Sequence, residues 1–148
     1  MRGSKSTLKI LIDTNVILDY IMERDGFWEE AEGVLLLTER NDAIEFMTAT
    51  SVTDVFYILK KYYSDSAKAQ EEIAKIFQNI KILGVAEEDI RRALELRWRD
   101  FEDAVQYSVA LRNDIDCIVT RNPKDFEADE IPVFTPAELL KVFDTYRI

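Results

Sequence analysis

Aspartates are the side chains of this sequence whose positions best suit chemistry. Asp13 directly follows the apolar run 8–12, Asp54 lies shortly after a second run at 43–48, and Asp103 opens a strongly apolar segment. Carboxylates that are brought together repel one another, and they remain ionised together only when a cation joins them. Oxygen ligands suit Mg²⁺ or Mn²⁺, which can activate a water and hold a phosphodiester for attack. We therefore predict that these three aspartates bind a divalent cation and act in catalysis.

The absence of histidine and the single cysteine, Cys117, exclude several other kinds of site. Without histidine there is no Ser-His-Asp or Cys-His catalysis and no histidine zinc site. One cysteine cannot form an internal disulfide, which favours a reducing compartment such as the cytoplasm. Cys117 lies in the apolar run 117–119, so we predict that it is a small buried side chain.

The net charge of −10 opposes simple binding to nucleic acid, which normally needs a basic surface. Bound cations, or a partner that covers the acidic surface, would reduce this repulsion. Four basic residues near the predicted site can contact phosphates or form ordinary solvated surface: Arg97, Arg99, Arg121 and Lys124.

The alternation of short apolar runs with amphipathic segments predicts the architecture. Strands are expected at 8–12, 43–48, 80–83, 117–120 and 132–134, and helices between them and after the last. Such alternation indicates a short, mainly parallel five-stranded sheet in a three-layer α/β/α sandwich. We expect a flexible tail at residues 1–7 and one domain over 8–148. No segment approaches the roughly 18 apolar residues of a membrane span.

Ligands of open parallel sheets gather at the carboxyl ends of the strands, near the point where strand order reverses. The polar residues that follow strands are therefore candidates for supporting roles beside the three aspartates. They are Asn15, Ser51, Asp100, Thr120, Asn122 and Asp125, with Asp100 placed at the start of the helix that leads into the fourth strand.

Four segments in order resemble the motifs of PIN domains, over about residues 8–140. They are 13–19 (DTNVILD), 50–57 (TSVTDVFY), 100–106 (DFEDAVQ) and 118–126 (IVTRNPKDF). The resemblance implies strand order 3-2-1-4-5 and a Mg²⁺- or Mn²⁺-dependent ribonuclease that leaves 5′-phosphate ends. Many bacterial members, the VapC-like toxins, dimerise and pair with an antitoxin protein.

The resemblance also assigns roles to individual residues. Asp13 is the first metal ligand and Asp103 the acidic residue shared between cations. Asp54 stands where many members have glutamate, and Asn122 where many have a fourth aspartate. One cation is therefore expected to bind firmly, whereas a second depends on compensation by Asp100, Asp116 or Asp125, among which the sequence does not choose.

Structural explanations compete with these roles. Asp13 can be an N-cap, although Thr14 or Asn15 can cap the same helix, and Asp54 can complete a capping box that begins at Ser51. Asp100 is favoured as the N-cap of the helix that contains Asp103. Asn122 before Pro123 is also a common turn element.

Two other α/β families match the motifs of this sequence poorly, and two other functions are compatible with them. A phosphoaspartate receiver has an acidic pair after the first strand, and a haloacid-dehalogenase-type phosphatase has an aspartate where this chain has Asn15. The alternatives are a catalytically weak or inactive PIN domain that binds proteins, and a nuclease that processes RNA without an antitoxin.

Overall fold

The computed structural model describes residues 7–127 and 130–147 of the chain, and side chains as far as residue 144. The strands are β1 (Leu8–Ile12), β2 (Ala43–Thr48), β3 (Ile80–Leu83), β4 (Cys117–Val119) and β5 (Val133–Phe134). The helices are α1 (Thr14–Ile21), α2 (Trp28–Leu35), α3 (Ala49–Tyr63), α4 (Ser66–Ile76), α5 (Glu87–Leu96), α6 (Phe101–Arg112) and α7 (Pro136–Arg147). Of the tail predicted at residues 1–7, all but Thr7 lies outside the described residues.

The five strands form one parallel sheet in the order β3-β2-β1-β4-β5. β1 is central, and its Ile10 pairs with Glu45 of β2 on one side and with Cys117 of β4 on the other. Strand order reverses between β1 and β4, so the residues after these two strands meet at one edge of the sheet. The predicted strand order and sheet type are confirmed.

Helices cover both faces of the sheet. On one face, Ile10 and Ile12 of β1 pack with buried residues of α1, α2, α3, α4 and α7, and on the other Leu11 packs with α6. α5 packs against α6 through Ala93. β1 is therefore buried on both faces, as expected from its continuous apolar run, and the chain forms a three-layer α/β/α sandwich.

Helix α6 is the most buried helix among those described. Every residue from Asp103 to Ala110 is buried, including the polar Gln106 and Ser108. Ser108 satisfies its hydroxyl by donating to the carbonyl of Ala104. The apolar run therefore correctly predicted a buried helix. Because Asp103 and Gln106 lie on this helix, they are buried with it.

The structure selects among the N-caps that the sequence allowed for α1 and moves the start of α3. α1 is capped by Asp13, whose side chain accepts from the Thr14 N–H, and not by Thr14 or Asn15. α3 begins at Ala49, three residues before the helix that Ser51 would cap, because Thr48 at the end of β2 is its N-cap. The capping box expected between Ser51 and Asp54 therefore does not form, and this structural explanation for Asp54 is wrong.

Two buried titratable groups lie in the sheet. Glu45 is 0 % exposed, its carboxylate oxygens have no partner among the described residues, and burial raises its pKa to about 8. Cys117 is buried, as predicted, and burial, with a smaller effect of the Asp116 charge, raises the pKa of its thiol to about 12. Within the described residues, no helix has the length and apolar character needed to cross a membrane.

Candidate functional site

Asp13 lies at the reversal point of the sheet, directly after β1. Its carboxylate accepts from the Thr14 N–H (2.8 Å), Gln106 Nε2 (2.8 Å) and Thr120 Oγ1 (2.7 Å). Burial raises the pKa of Asp13, and these three hydrogen bonds oppose that rise. The start of α1, the middle of α6 and the residue after β4 therefore fix the orientation of this carboxylate.

The loop after β4 is joined to the start of α1 by a small polar network. Thr120 is fully buried, accepts from Asn15 Nδ2 at 3.4 Å and from the Asn122 N–H at 3.2 Å, and donates to Asp13. Asn15 also accepts from the Arg121 N–H at 3.2 Å. Asn15 and Thr120 thus lie where positioning groups were predicted, whereas the side chain of Asn122 is exposed.

The N-terminus of α6 brings further carboxylates to this edge. Asp100 caps the helix by accepting from the Asp103 N–H at 3.0 Å, as predicted. Asp125 lies on the short 3-10 turn Pro123–Asp125. One carboxylate oxygen from each of Asp100, Asp103 and Asp125 lies within 4.8 Å of the others.

The electrostatics of Asp103 reflect this crowding. Burial, followed by the negative charges of Asp13, Asp100 and Asp125, raises its pKa to about 8. Without a cation, the folded protein therefore retains a proton on this group near neutral pH. A bound cation would replace that proton.

Asp54 joins the group through Glu102, a residue that the sequence analysis missed. The two side chains share a hydrogen bond, and this bond is the largest contribution to a rise in the pKa of Glu102 to about 8. Burial and the charges of Asp54, Asp100 and Asp13 contribute further. Glu102 therefore places a further carboxyl group beside Asp54, at the same edge of the sheet.

Gln106 was missed as well, although its sequence carries a signal. It is a polar residue inside the mostly apolar run 104–111, one helical turn after Asp103. An amide at such a position needs a partner because burial of an unpaired polar group is costly. Gln106 has one in Asp13, while its Oε1 has no partner among the described residues.

The side chains of Ser51 and Arg121, which were also predicted at the site, have partners other than its carboxylates. Ser51 is buried within the cap of α3, where Thr48 Oγ1 donates to its hydroxyl at 3.1 Å. Arg121 is paired with Asp19 at 3.3 Å, and its guanidinium lies 4.2 Å from the ring centre of Phe27.

The basic residues divide between those at the acidic cluster and those away from it. Arg99 and Lys124 line an open cleft together with Asp100, Phe101, Asp125 and Glu127. Arg97 is exposed at the C-cap of α5 with φ +57° and does not line that cleft. The four predicted phosphate contacts therefore separate into two at the cleft, one held in an ion pair and one outside it.

The donor set fits a hard divalent cation. The groups that converge are carboxylates, and the buried Asp103 carboxyl has no N–H donor among the described residues. Mg²⁺ and Mn²⁺ prefer such oxygen ligands, and the absence of histidine from the whole chain disfavours softer metals. Neutralisation by a cation would remove the repulsion that raises the pKa of Asp103.

The comparisons with known proteins agree with this geometry. The family model of the PIN domain matches residues 9–124. A toxin–antitoxin complex from Klebsiella pneumoniae matches with TM-score 0.65 and 22% identity, covering 86% of this chain and 97% of that one. VapBC2 from Rickettsia felis, bound to a promoter DNA fragment, matches with TM-score 0.65 and 14% identity over 85% and 97%.

Mycobacterium tuberculosis VapC20, a toxin that cleaves the sarcin–ricin loop, matches with TM-score 0.59 and 15% identity over 74% of this chain and 86% of that one. A search of curated protein sequences found no match. At these identities the solved structures establish a shared fold, while the family model covers most of the chain. This chain therefore belongs to the PIN domain family.

Proposed function

We propose that this chain is a Mg²⁺- or Mn²⁺-dependent ribonuclease that hydrolyses RNA phosphodiesters and leaves 5′-phosphate ends. The observation that carries the proposal is the set of carboxylates at the reversal point of the sheet. Asp103, buried beside Asp13, Asp100 and Asp125, has its pKa raised to about 8. A bound cation would strongly stabilise the ionised form of such a carboxyl group.

Asp13, Asp54 and Asp103 are the residues proposed to hold the cation. When bound, a divalent ion lowers the pKa of water and stabilises the charge that develops on the phosphate. Gln106 and Thr120 hold the Asp13 carboxylate in one orientation, so that it need not reorganise during the reaction. Glu102 keeps Asp54 in place by a shared hydrogen bond.

Arg99 and Lys124 are proposed to contact the RNA backbone. Both line the cleft beside Asp100 and Asp125, and cations at that place offset part of the repulsion between an acidic site and RNA. Arg121 is proposed to act mainly on the loop that carries Thr120, because its guanidinium is engaged by Asp19.

The biological role proposed is that of a toxin held in check by an antitoxin protein, in a homodimer in the cytoplasm. The likeness to the toxin–antitoxin structures supports a protein partner. Exposed apolar residues on α3 offer a surface for such contacts, namely Tyr57, Ile58 and Tyr62. Residues 8–148 would form the single domain that carries both surfaces.

A protein-binding module without activity is the second candidate. Asn122 in place of an aspartate and the exposed apolar residues of α3 favour it. A nuclease that processes RNA without an antitoxin would share the site described here and differ only in its partner.

RNA cleavage by the purified protein tests the proposal. The assay compares Mn²⁺ or Mg²⁺, EDTA, and an Asp103→Asn variant purified in the same way. Activity that is lost with both EDTA and the variant supports the ribonuclease. Activity that is unchanged in the variant indicates a contaminating nuclease, and products with 2′,3′-cyclic phosphate ends contradict the proposed chemistry. An inactive protein that is also not stabilised by Mn²⁺ favours the binding module.

A further inference from the structure

Phe101 is an exposed aromatic ring at the start of α6, which is otherwise the most buried helix among those described. It is the first residue of the helix and is 45 % exposed, whereas Ala104 and Val105, one turn further along, are buried against Ala93 of α5. Side chains of a helix point toward its N-terminus, so the first residue extends past the turns that a neighbouring helix covers. Phe101 therefore continues the apolar face of α6 beyond the cover that α5 provides.

Phe101 also differs from the other exposed aromatic side chains of the described residues. Each of the other three has a partner, in the pairs Phe27 with Arg121, Tyr57 with Phe56 and Tyr62 with Tyr63. No ring and no cation of the described part of the chain stacks on Phe101. Its ring is thus available to a ligand that itself has a flat π-system.

The ring lines the open cleft that also contains the basic residues Arg99 and Lys124. This cleft has a volume of about 760 Å³, within the roughly 300–1,000 Å³ of sites that hold small organic ligands. Asp100, the residue before Phe101, lines the cleft too and has a carboxylate oxygen within 4.8 Å of one from Asp103. A ligand that stacks on the ring would therefore lie next to the carboxylates of the candidate site.

An unpaired nucleobase of RNA has the chemistry that this cleft can bind. Proteins that bind single-stranded RNA stack bases on aromatic side chains while basic residues contact the phosphates. Stacking on a neutral ring is not opposed by the net charge of −10. It provides affinity in a cleft where the two basic residues are outnumbered by three acids. A protein partner fits less well, because Phe101 is the one apolar residue among the six that line the cleft and forms no apolar patch there.

We propose that Phe101 is the stacking platform for an unpaired nucleobase next to the phosphodiester that is cleaved. This inference rests on the proposed function, since it names a substrate contact of the same active site. It predicts a preference for RNA that is unpaired near the cleavage point, because a base inside a duplex is already stacked on its neighbours.

RNA binding by Phe101 variants tests the proposal, in the Asp103→Asn background that prevents cleavage. Phe101→Ala should weaken affinity for a single-stranded RNA by about fivefold or more, because one base loses its platform. The slope of log affinity against log salt should stay unchanged, since no phosphate contact is lost. The control Tyr57→Ala removes an exposed ring that does not line the cleft, and it should retain the parent affinity.

Two further substitutions separate stacking from general apolar contact. Phe101→Tyr keeps an aromatic ring and should bind RNA within about twofold of the parent. Phe101→Leu is apolar but has no ring, so it should bind as weakly as Phe101→Ala. Melting curves establish that each variant is folded, and the melting temperatures should stay close to that of the parent because the side chain is exposed.

The fluorescent base 2-aminopurine, introduced at each position of the RNA in turn, reports stacking directly. With saturating protein, the parent and Phe101→Tyr should quench its fluorescence at one position. This quenching should be lost in Phe101→Ala and Phe101→Leu, also at saturation.

Unchanged RNA affinity in Phe101→Ala or Phe101→Leu would overturn the proposal, as would a parent that binds no RNA or quenches no position. A changed oligomeric state of Phe101→Ala in sedimentation, with RNA affinity unchanged, would instead assign the ring to a protein interface. If the wild type cleaves RNA with Mn²⁺ but Phe101→Ala loses neither affinity nor quenching, the ribonuclease function holds and the stacking role fails. If Phe101→Ala loses both while the wild type leaves RNA intact, the stacking role is supported and the nuclease function fails.

Discussion

Gln106 donates a hydrogen bond of 2.8 Å to Asp13 across 93 residues of sequence. It joins the middle of the buried helix α6 to the end of the central strand. A side-chain amide is well suited to this place because it donates to the carboxylate without adding charge. The orientation of Asp13 therefore depends on the packing of α6.

Replacement of Gln106 by Leu should lower RNA cleavage by about tenfold or more, because Asp13 loses a donor that orients it. The free energy of unfolding should also fall by about 1–3 kcal/mol, since the buried carboxylate becomes less satisfied. Cleavage rates and urea unfolding measure the two effects. Ser108→Ala, which removes another buried polar group of α6, is the matched control and should affect stability alone. Equal loss of activity in both variants would contradict the assigned role.

The pH dependence of stability should reveal the carboxyl cluster. A carboxyl whose pKa is raised on folding, as for Asp103 at about 8, stabilises the protein most when protonated in both states, below about pH 4. Its contribution is lost as pH rises toward 8, so in EDTA the melting temperature should fall over this interval. The fall should be smaller in Asp103→Asn. Stabilisation by Mn²⁺ should grow over the same interval, because the cation competes with the proton. An identical pH profile in the variant would argue against the raised pKa.

Glu45 provides a test of burial that is separate from the site. It is fully buried on β2 with its pKa raised from 4.5 to about 8, so the stability of the wild type should fall as pH rises from about 4.5 to about 8 and stay at the lower value above it. Glu45→Leu should be more stable by about 1–4 kcal/mol at pH 9, by analogy with other buried charges replaced by apolar groups. Glu45→Gln keeps the size of the side chain and removes its titratable group. Its stability should therefore not depend on this pKa, but it should rise less than that of Glu45→Leu. Urea unfolding at pH 6 and 9 measures these differences, and equal stability of wild type and Glu45→Leu at pH 9 would be inconsistent with them.

Asp19 should be important for the loop that follows β4. It is 2 % exposed and pairs with both Arg24 (3.2 Å) and Arg121 (3.3 Å). Since both arginines are partly exposed, Asp19→Asn should cost only about 1–2 kcal/mol of unfolding free energy, less than for a fully buried ion pair. Cleavage should fall as well, because Arg121 adjoins Thr120, a donor to Asp13. Asp42→Asn, which breaks the partly exposed pair with Arg40, should cost under about 1 kcal/mol. Retention of full activity by Asp19→Asn would show that the loop does not need this pair.

The basic residues at the cleft should affect RNA binding differently from Arg97. Neutralisation of Arg99 or Lys124 by Gln should weaken RNA binding at low salt and reduce the slope of log affinity against log salt by about 0.7 each. Arg97→Gln, with the same change of charge outside the cleft, should leave the slope unchanged. Binding to a single-stranded RNA at several salt concentrations, with Asp103→Asn as the background to prevent cleavage, measures these slopes. If all three substitutions change the slope equally, the overall charge of the protein, and not direct contact with RNA, determines the effect.

The sequence predicted most of the fold because its apolar runs are long and unambiguous. β1 and α6 are buried as their composition indicates, and Asp13 and Asp103 were identifiable from position and motif. The start of α3 was misplaced because Thr48 and Ser51 are equally suitable caps, and only the end of β2 selects between them. Glu102 was missed because its neighbour Asp54 lies on α3, far away in sequence. Asp125 was a candidate, but the sequence could not choose between it, Asp100 and Asp116, because the turn after β4 decides which carboxylate lies near Asp103.

The burial of Cys117 makes the chain convenient for site-directed labelling. Its thiol is buried beneath the helices and has its pKa raised to about 12, so the reactive thiolate is scarce at the pH of ordinary labelling. A cysteine introduced at an exposed position such as Tyr57 should therefore react alone with a maleimide dye or spin label. The native protein already provides an unreactive background for measuring distances from α3 to a partner chain, without prior removal of its own cysteine.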